Sequence, residues 1–194
     1  MYKNLREYIA RLEQEGELVR VKRPVSTRFE IAEITDRVVK SEGGGKAILF
    51  ENTDAEFPVV TNMMGSKRRM AMALGVERLE DIGDRITALL GDALSPKATL
   101  WEKMKMLPLL ADVAKWFPQS VSGRGECQQV VWQGEEADLE RLPLLTSWES
   151  DGGAFVTLPM VNTLDPDTGV RNVGMYRMQR FDGHTTGMHW HIHK

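Results

Sequence analysis

The 194-residue sequence is poor in several residue types, and each scarcity excludes a class of protein. Its single cysteine, Cys127, cannot form an intramolecular disulfide, which fits a reducing compartment such as the cytoplasm. We expect Cys127 to be a small buried hydrophobic residue. The chain has 25 lysines and arginines against 28 acidic residues, so it lacks the basic excess of a nucleic-acid-binding protein. It also has no apolar run long enough to span a membrane and no signal peptide.

The first part of the chain alternates between helical and strand patterns. Asn4 can cap a helix from Leu5 to about Glu15, and Gly16 is typical of a helix end. The spacing of apolar residues then predicts strands at 18–21, 46–50 and 58–61, and helices at 30–40, from 67, at about 79–90 and at 100–116, the last interrupted by Pro108. These patterns indicate an α/β amino-terminal domain over residues 1–117.

A β-rich region follows a stretch rich in proline, serine and glycine, which we interpret as a linker over residues 118–126. Apolar and β-branched runs then predict strands at 128–132, 155–158 and 160–164, with a turn at 165–169. We therefore expect residues 127–194 to form the beginning of a second domain. The predicted fold class is mixed, α+β or α/β.

Two short motifs could contact an anion, but each has a simpler interpretation. Gly43–Gly45 lacks the Gly-Lys-Ser/Thr pattern of a phosphate loop, so we expect a flexible turn. Lys67–Arg69 begins a helix, where positive charge opposes the helix dipole. We expect these basic residues to form an exposed face, with an anion contact as the alternative.

The last stretch of the chain holds all four histidines, from His184 to His193. Three of them, His189, His191 and His193, alternate, so on a strand their imidazoles would share one face. On a helix the same residues would spread around the axis. The spacing therefore favours a strand.

A turn signal precedes this strand. Asp182-Gly183 is typical of a β-hairpin, and the run from Arg171 to Arg180 has the pattern of a partner strand. We predict a hairpin with Asn172 and Arg177 on one arm and the histidines on the other. Amide, imidazole and cationic groups together suit a divalent metal and an anionic group such as phosphate. Solvated strand histidines without a ligand are the alternative.

These residues resemble a known family. Residues 172–177 (NVGMYR) and 188–194 (MHWHIHK) are similar to the cofactor-binding segment of the UbiD decarboxylases. The resemblance continues over stretches at 4–8, 15–18, 29–34, 47–52, 127–129 and 138–143, and so covers the whole chain. Family members are much longer, so we expect this chain to correspond to their amino-terminal part. Residues 127–194 would then belong to the split β-barrel that holds the flavin.

The resemblance also implies cofactors and residue roles. The family uses prenylated FMN and a divalent metal, usually Mn²⁺, and K⁺ is a further candidate ion. By position, Asn172 and His193 would be metal ligands. The residues that would contact the cofactor are Met175, Tyr176, Arg177, His189, Trp190, His191 and Lys194. Arg177 would also be catalytic, since it matches the arginine that organises two acidic residues around the substrate carboxylate.

Two functions follow as alternatives. The first is a non-oxidative decarboxylase of an aromatic or α,β-unsaturated acid, such as a 4-hydroxybenzoate-type precursor in ubiquinone biosynthesis. The chain alone would be inactive, because the family's acid–base carboxylates lie further downstream. The second is a non-catalytic module for phosphate or flavin binding, or for assembly. For the enzyme we expect a small carboxylic acid and further copies of the chain as partners, without nucleic acid or an integral membrane segment.

Overall fold

The structure is a computed structural model that describes residues 2–94, 104, 107–117 and 122–190. The chain divides into two compact units, one of Met1–Arg78 with Gln133–Lys194 and the other of Leu79–Trp132. The domain boundaries expected from the sequence stay a prediction. No helix in the described ranges is long and apolar enough to cross a membrane.

Helices and strands occur in mixed order. The helices of the described residues are α1 Leu5–Gln14, α2 Glu30–Val39, α3 Lys67–Leu74, α4 Glu80–Leu94 and α5 Leu107–Ala114. The strands are β1 Leu18–Val21, β2 Ala47–Phe50, β3 Val59–Thr61, β4 Phe155–Val156, β5 Met160–Leu164, β6 Arg171–Met175, β7 Met178–Arg180 and β8 Thr186–Met188. Short 3-10 turns lie at Glu42–Gly44, Glu126–Gln128, Gly134–Glu136 and Leu139–Arg141.

The amino-terminal sheet has β2 at its centre, parallel to β1 and antiparallel to β3. Every residue of β2 is buried. Ala47 packs with Tyr8 and Leu12 of α1, whereas Ile48 packs with Ile31 of α2. Neighbouring strand residues face opposite ways, so the two helices cover opposite faces of the sheet. This arrangement confirms the α/β organisation predicted for the first part of the chain.

The ends of α1 follow the predicted capping residues. The Asn4 side chain accepts the Glu7 N–H at 3.0 Å. Gly16 has a φ of 68°, the left-handed conformation typical after a helix. Local side-chain chemistry was therefore sufficient to place this helix.

The start of α3 departs from the expected exposed basic face. Arg69 is only 1% exposed. Its Nη1 forms an ion pair with Glu17 at 2.9 Å and donates to the Gly45 carbonyl at 2.7 Å. Arg68 stays exposed and pairs with Glu15 and Glu17. The expectation was wrong for Arg69 because its acceptors come from distant parts of the chain.

A turn at Gly43–Gly45 is confirmed, but close packing holds it in position, unlike the flexible turn that was expected. All its residues have positive φ. A Cβ on Gly45 would overlap the Val38 carbonyl oxygen, and the Asn62 side chain donates to the Gly44 carbonyl at 2.7 Å. The turn therefore requires glycine for close backbone packing rather than for phosphate binding.

Two expectations about the middle of the chain were wrong. Residues 128–132 form no strand: Gln128 ends a 3-10 turn at Glu126–Gln128, and Val130 and Val131 are exposed. Cys127 is likewise exposed rather than buried. Strand propensity alone does not supply a partner strand, and these residues have none among those described.

Pro108 lies in the first turn of α5, where proline is tolerated. The rest of the helix predicted before it, residues 100–103 and 105–106, lies outside the described residues.

The segment before β4 packs onto the amino-terminal core. Leu145 contacts the cluster that includes Ile31 and Phe50. Thr146 accepts the Phe29 N–H at 2.9 Å, and its own N–H donates to the Thr27 carbonyl at 3.2 Å. Phe29 has a φ of 69°, unusual for a bulky residue. These contacts attach the carboxyl-terminal strands to the first part of the chain.

Candidate functional site

The predicted strand from Arg171 to Arg180 is two strands of different sheets. β6 pairs with β5, whereas β7 lies between β4 and β8. Tyr176 and Arg177 link the two sheets. The prediction of one continuous arm was therefore wrong, and Asn172 is not on a strand that pairs with the histidine segment. Alternation identifies strand residues but does not identify their partners.

The hairpin at Asp182-Gly183 is confirmed between β7 and β8. Phe181 N–H donates to the Thr185 carbonyl at 3.0 Å and closes the loop. The Asp182 carboxylate accepts the His184 N–H at 2.8 Å. This backbone hydrogen bond, together with one from the Thr185 side chain, lowers the pKa of Asp182.

The hairpin loop contacts a segment earlier in the chain. Leu139 N–H donates to the Gly183 carbonyl at 2.7 Å. His184 Nδ1 lies 3.2 Å from the Ala137 carbonyl oxygen. His184 is therefore part of a structural contact, consistent with its position outside the alternating histidines.

Four predicted cofactor-binding residues meet where β6 ends and β7 begins. His189 N–H donates to the Arg177 carbonyl at 3.0 Å, which extends the hairpin pairing by one residue beyond β8. The rings of Tyr176 and Trp190 lie 5.2 Å apart between centroids. Trp190 is 63% exposed, so this aromatic pair presents a surface to a ligand or to further protein.

Arg177 lies against the ring of Phe155, a residue that was not among the predicted site residues. Its guanidinium carbon is 3.7 Å from the ring centroid of Phe155 in β4. Within the described part of the chain, no ion pair involves Arg177. The alternation of the strand at 155–158 marked Phe155 as a strand residue, but only the pairing of β4 with β7 brings it to Arg177.

Asn172 lies on the neighbouring sheet, opposite Thr163 of β5, and is exposed. Gly174 follows on the same strand face. A Cβ on Gly174 would overlap the Tyr176 ring, so that ring occupies the space above the glycine. Met175 lies on the opposite face of β6. The Tyr176 ring therefore lies on the same face of β6 as Asn172, and Met175 lies on the opposite face.

The remaining predicted residues lie outside the described ranges. They are His191, His193 and Lys194. Their assignment as cofactor contacts, and of His193 as a metal ligand, stays a prediction.

The described residues fit a flavin nucleotide better than they fit a complete metal site. Tyr176 and Trp190 offer aromatic surface to a ring system, and Arg177 offers a cation to an anionic group. Asn172 offers an amide oxygen, which suits a hard divalent cation but leaves its charge uncompensated. Among the residues described, no group of three His, Cys, Asp or Glu side chains could hold a metal. The role of Asn172 as a metal ligand stays a prediction.

Two family models match the chain. The amino-terminal domain of 3-octaprenyl-4-hydroxybenzoate carboxy-lyase, named UbiD_N, matches residues 9–86. The Rift-related domain of the same carboxy-lyase, named UbiD, matches residues 119–194. The second match includes all of the predicted site residues.

Comparisons of sequence and of structure identify proteins that are similar to this chain and much longer than it. An uncharacterized protein of Aquifex aeolicus is 47% identical over 194 residues, which are 100% of this chain and 39% of the relative. The vanillic acid decarboxylase of Sedimentibacter hydroxybenzoicus, in its closed form, is 30% identical with a TM-score of 0.72, over 97% of this chain and 37% of that chain.

A second solved structure is an evolved dimeric form of the UbiD-class enzyme HmfF from Pelotomaculum thermopropionicum, in complex with prFMN. It is 27% identical with a TM-score of 0.68, over 98% of this chain and 39% of that chain. These likenesses confirm the predicted fold class. The chain spans less than two fifths of the length of these relatives.

Proposed function

The chain belongs to the UbiD family, and from this membership we propose that the protein containing it is a carboxy-lyase. It removes carbon dioxide from an aromatic or α,β-unsaturated carboxylic acid. The observation that carries the proposal is the cluster of Tyr176, Arg177, His189 and Trp190, in which the Tyr176 ring meets the exposed Trp190 ring and the Arg177 carbonyl accepts the His189 N–H. The vanillic acid decarboxylase with a similar structure supports the reaction class.

The proposed cofactor is prenylated FMN, which supplies an electron sink for decarboxylation when bound. Tyr176 and Trp190 contact the flavin through their exposed ring surfaces. Further contacts are assigned by family position to Met175, His189, His191 and Lys194. The complex of HmfF with prFMN supports this choice of cofactor.

We assign Asn172 and His193 as neutral ligands of a divalent metal, Mn²⁺, with K⁺ as a further candidate ion. An amide oxygen and an imidazole nitrogen both suit such a cation, and the phosphate of the cofactor contributes the negative charge that these two ligands lack. Arg177 acts on the substrate and not on the metal. Its guanidinium offers N–H edges to the substrate carboxylate and holds that group in place.

The substrate and the cellular setting form the finer part of the proposal. A 4-hydroxybenzoate-type acid, as in ubiquinone biosynthesis, fits the description of both matching domains. The dimeric form of HmfF supports a homo-oligomer. A cytoplasmic location stays a prediction from the single cysteine.

Three variants of the full-length gene product test these assignments. Asn172→Ala and His193→Ala should lose manganese and flavin together, because each removes a metal ligand and weakens the hold on the cofactor phosphate. Arg177→Ala should keep more of both and lose turnover. The measurements are metal content, flavin absorbance and carbon dioxide release from 4-hydroxybenzoate and vanillate.

Asn162→Ala is the matched control, since Asn162 is an exposed amide on β5 that faces away from Asn172. It should retain metal and flavin. Full manganese and flavin occupancy in His193→Ala would show that the metal assignment is wrong. Flavin binding without carbon dioxide release from a broad panel of aromatic and enoic acids would favour the non-catalytic module.

A further inference from the structure

We propose that Phe155 is a positioning residue for Arg177: its ring fixes the guanidinium plane so that the N–H edge is presented to a carboxylate. The inference rests on the function proposed above, because it assigns a partner to the arginine of that site. Phe155 itself touches neither substrate nor cofactor in this proposal. It acts through Arg177.

The contact between the two side chains has the geometry that this role requires. The guanidinium carbon lies over the Phe155 ring, 3.7 Å from its centre, a separation that suits stacking of the guanidinium plane on the ring. The aromatic face attracts the cation through its quadrupole. The N–H donors lie in the guanidinium plane, so stacking leaves them free for a bidentate contact.

Arg177 needs such a support because its side chain is long and has many rotamers. Arg177 is exposed, and among the described residues no carboxylate forms an ion pair with its guanidinium. Immobilising a flexible side chain on binding has an entropic cost, which a preformed contact reduces. The Phe155 ring therefore limits the orientations of Arg177 before the carboxylate arrives.

Phe155 is in turn held by backbone hydrogen bonds on both sides. Its N–H donates to the Leu145 carbonyl at 3.3 Å. The carbonyl of the preceding residue, Ala154, accepts the Arg180 N–H at 2.9 Å, and Ala154 is buried. In the β4–β7 ladder, Phe155 lies opposite Gln179. Arg177 immediately precedes β7 and lies two residues before Gln179, in the diagonal position to Phe155.

The amino-terminal core supports this arrangement through two consecutive residues. Leu145 packs against the cluster of Ile31 and Phe50, and Thr146 exchanges backbone hydrogen bonds with Thr27 and Phe29. Leu145 is also the residue whose carbonyl accepts the Phe155 N–H. The α/β core thus supplies a fixed base for the ring on which Arg177 rests.

The test compares Phe155→Leu with Phe155→Tyr in the full-length protein loaded with prenylated FMN and manganese. Leucine removes the ring and keeps an apolar side chain, whereas tyrosine keeps the ring. We expect Phe155→Leu to lower kcat about tenfold with flavin content unchanged, as an imprecisely held group would. Phe155→Tyr should retain most of the activity. Phe181→Leu, the same substitution at an exposed residue of the adjoining hairpin, is the control and should leave kcat unchanged.

A double variant separates positioning from general stability. In an Arg177→Lys background, Phe155→Leu should change kcat less than about twofold, because lysine has no planar face to stack. An equal loss in both backgrounds would mean that Phe155 acts on the fold and would overturn the proposal. So would full activity of Phe155→Leu in the unaltered background.

A spectroscopic measurement keeps the inference distinct from the proposed reaction. The Nε–H resonance of Arg177, assigned by its loss in Arg177→Lys, should show an upfield ring-current shift that disappears in Phe155→Leu. If the unaltered protein releases no carbon dioxide from a broad panel of aromatic and enoic acids but shows this shift, the proposed function fails and the stacked pair stands. An Arg177 resonance identical in the unaltered protein and Phe155→Leu would overturn the stacked pair itself.

Discussion

At the scale of single residues, the buried Arg69 connects three parts of the amino-terminal core. Its guanidinium joins α3 to Glu17 and to the carbonyls of Gly44 and Gly45. Arg69→Met should lower the free energy of unfolding by about 3 kcal/mol, because it removes the donor to the Gly45 carbonyl and the buried one of the two cationic partners of Glu17. Urea denaturation followed by circular dichroism measures this change.

The neighbouring Arg68 provides the control for that substitution. It pairs with Glu15 and Glu17, but its side chain is exposed. Arg68→Met should therefore cost less than about 1 kcal/mol. Equal losses for the two methionine variants would contradict the assigned role of Arg69.

Residues defined by local chemistry were predictable from the sequence, and those defined by distant partners were not. Asn4 and Gly16 satisfy backbone groups within a few residues of themselves, so their roles follow from their identity. Arg69 depends on an acceptor 52 residues away, and Phe155 becomes important only through the pairing of β4 with β7. Alternation within one strand carries no information about either contact.

At the scale of elements, the hairpin of β7 and β8 should respond to acid through Asp182. The His184 N–H and the Thr185 side chain lower the pKa of this carboxyl in the folded state. Its contribution to stability is therefore complete above the unfolded pKa of about 4 and is lost as pH falls through the lowered folded value. Amide protection of Phe181 and His184 should decrease over that range, measured by hydrogen exchange and corrected for intrinsic rates.

Two asparagine variants check the origin of this acid dependence. Asp182→Asn cannot titrate, so the acid-dependent loss of protection in the hairpin should disappear. Asp165→Asn changes a carboxyl whose pKa is lowered in the same way, by the Thr168 N–H, but in the β5–β6 turn. That variant should leave the hairpin's acid response intact. An unchanged response in Asp182→Asn would assign it to another group.

Sequence patterns predicted where some strands begin and end, but they did not predict which strands pair. The strand at Met160–Leu164 was predicted with the bounds that the structure has, and the hairpin turn was predicted at Asp182-Gly183, within the loop that joins Arg180 to Thr186. The run from Arg171 to Arg180 was predicted as one strand, yet it divides between two sheets at Tyr176–Arg177. Each half satisfies its backbone groups with a different partner, which a two-residue period cannot reveal.

At the scale of the whole molecule, one face of the β5–β6 sheet carries four exposed apolar side chains. The pairing register places Met160, Leu164, Val173 and Met175 on this face, together with Asn162 and Arg171. A polypeptide of these 194 residues should therefore self-associate with rising concentration. Sedimentation velocity over a range of concentrations measures the effect.

Substitutions on the two faces of this sheet locate the association. Leu164→Lys should shift the polypeptide toward monomer, because it replaces an exposed apolar side chain of this face with a second positive charge opposite Arg171. Thr163→Lys, on the adjacent residue and the opposite face, should leave the association unchanged. A monomer at every concentration would contradict this prediction.

Because β6 and β7 belong to different sheets, the two ends of the proposed site can diverge separately during evolution. Asn172 is carried by the β5–β6 pair, whereas Arg177 rests on Phe155 beside the β4–β7–β8 sheet. Under the proposed roles, duplicated genes could acquire new acids as substrates through changes around Phe155 while the strand that anchors the metal is inherited intact. Paralogues would then differ in substrate range and share one mode of cofactor retention.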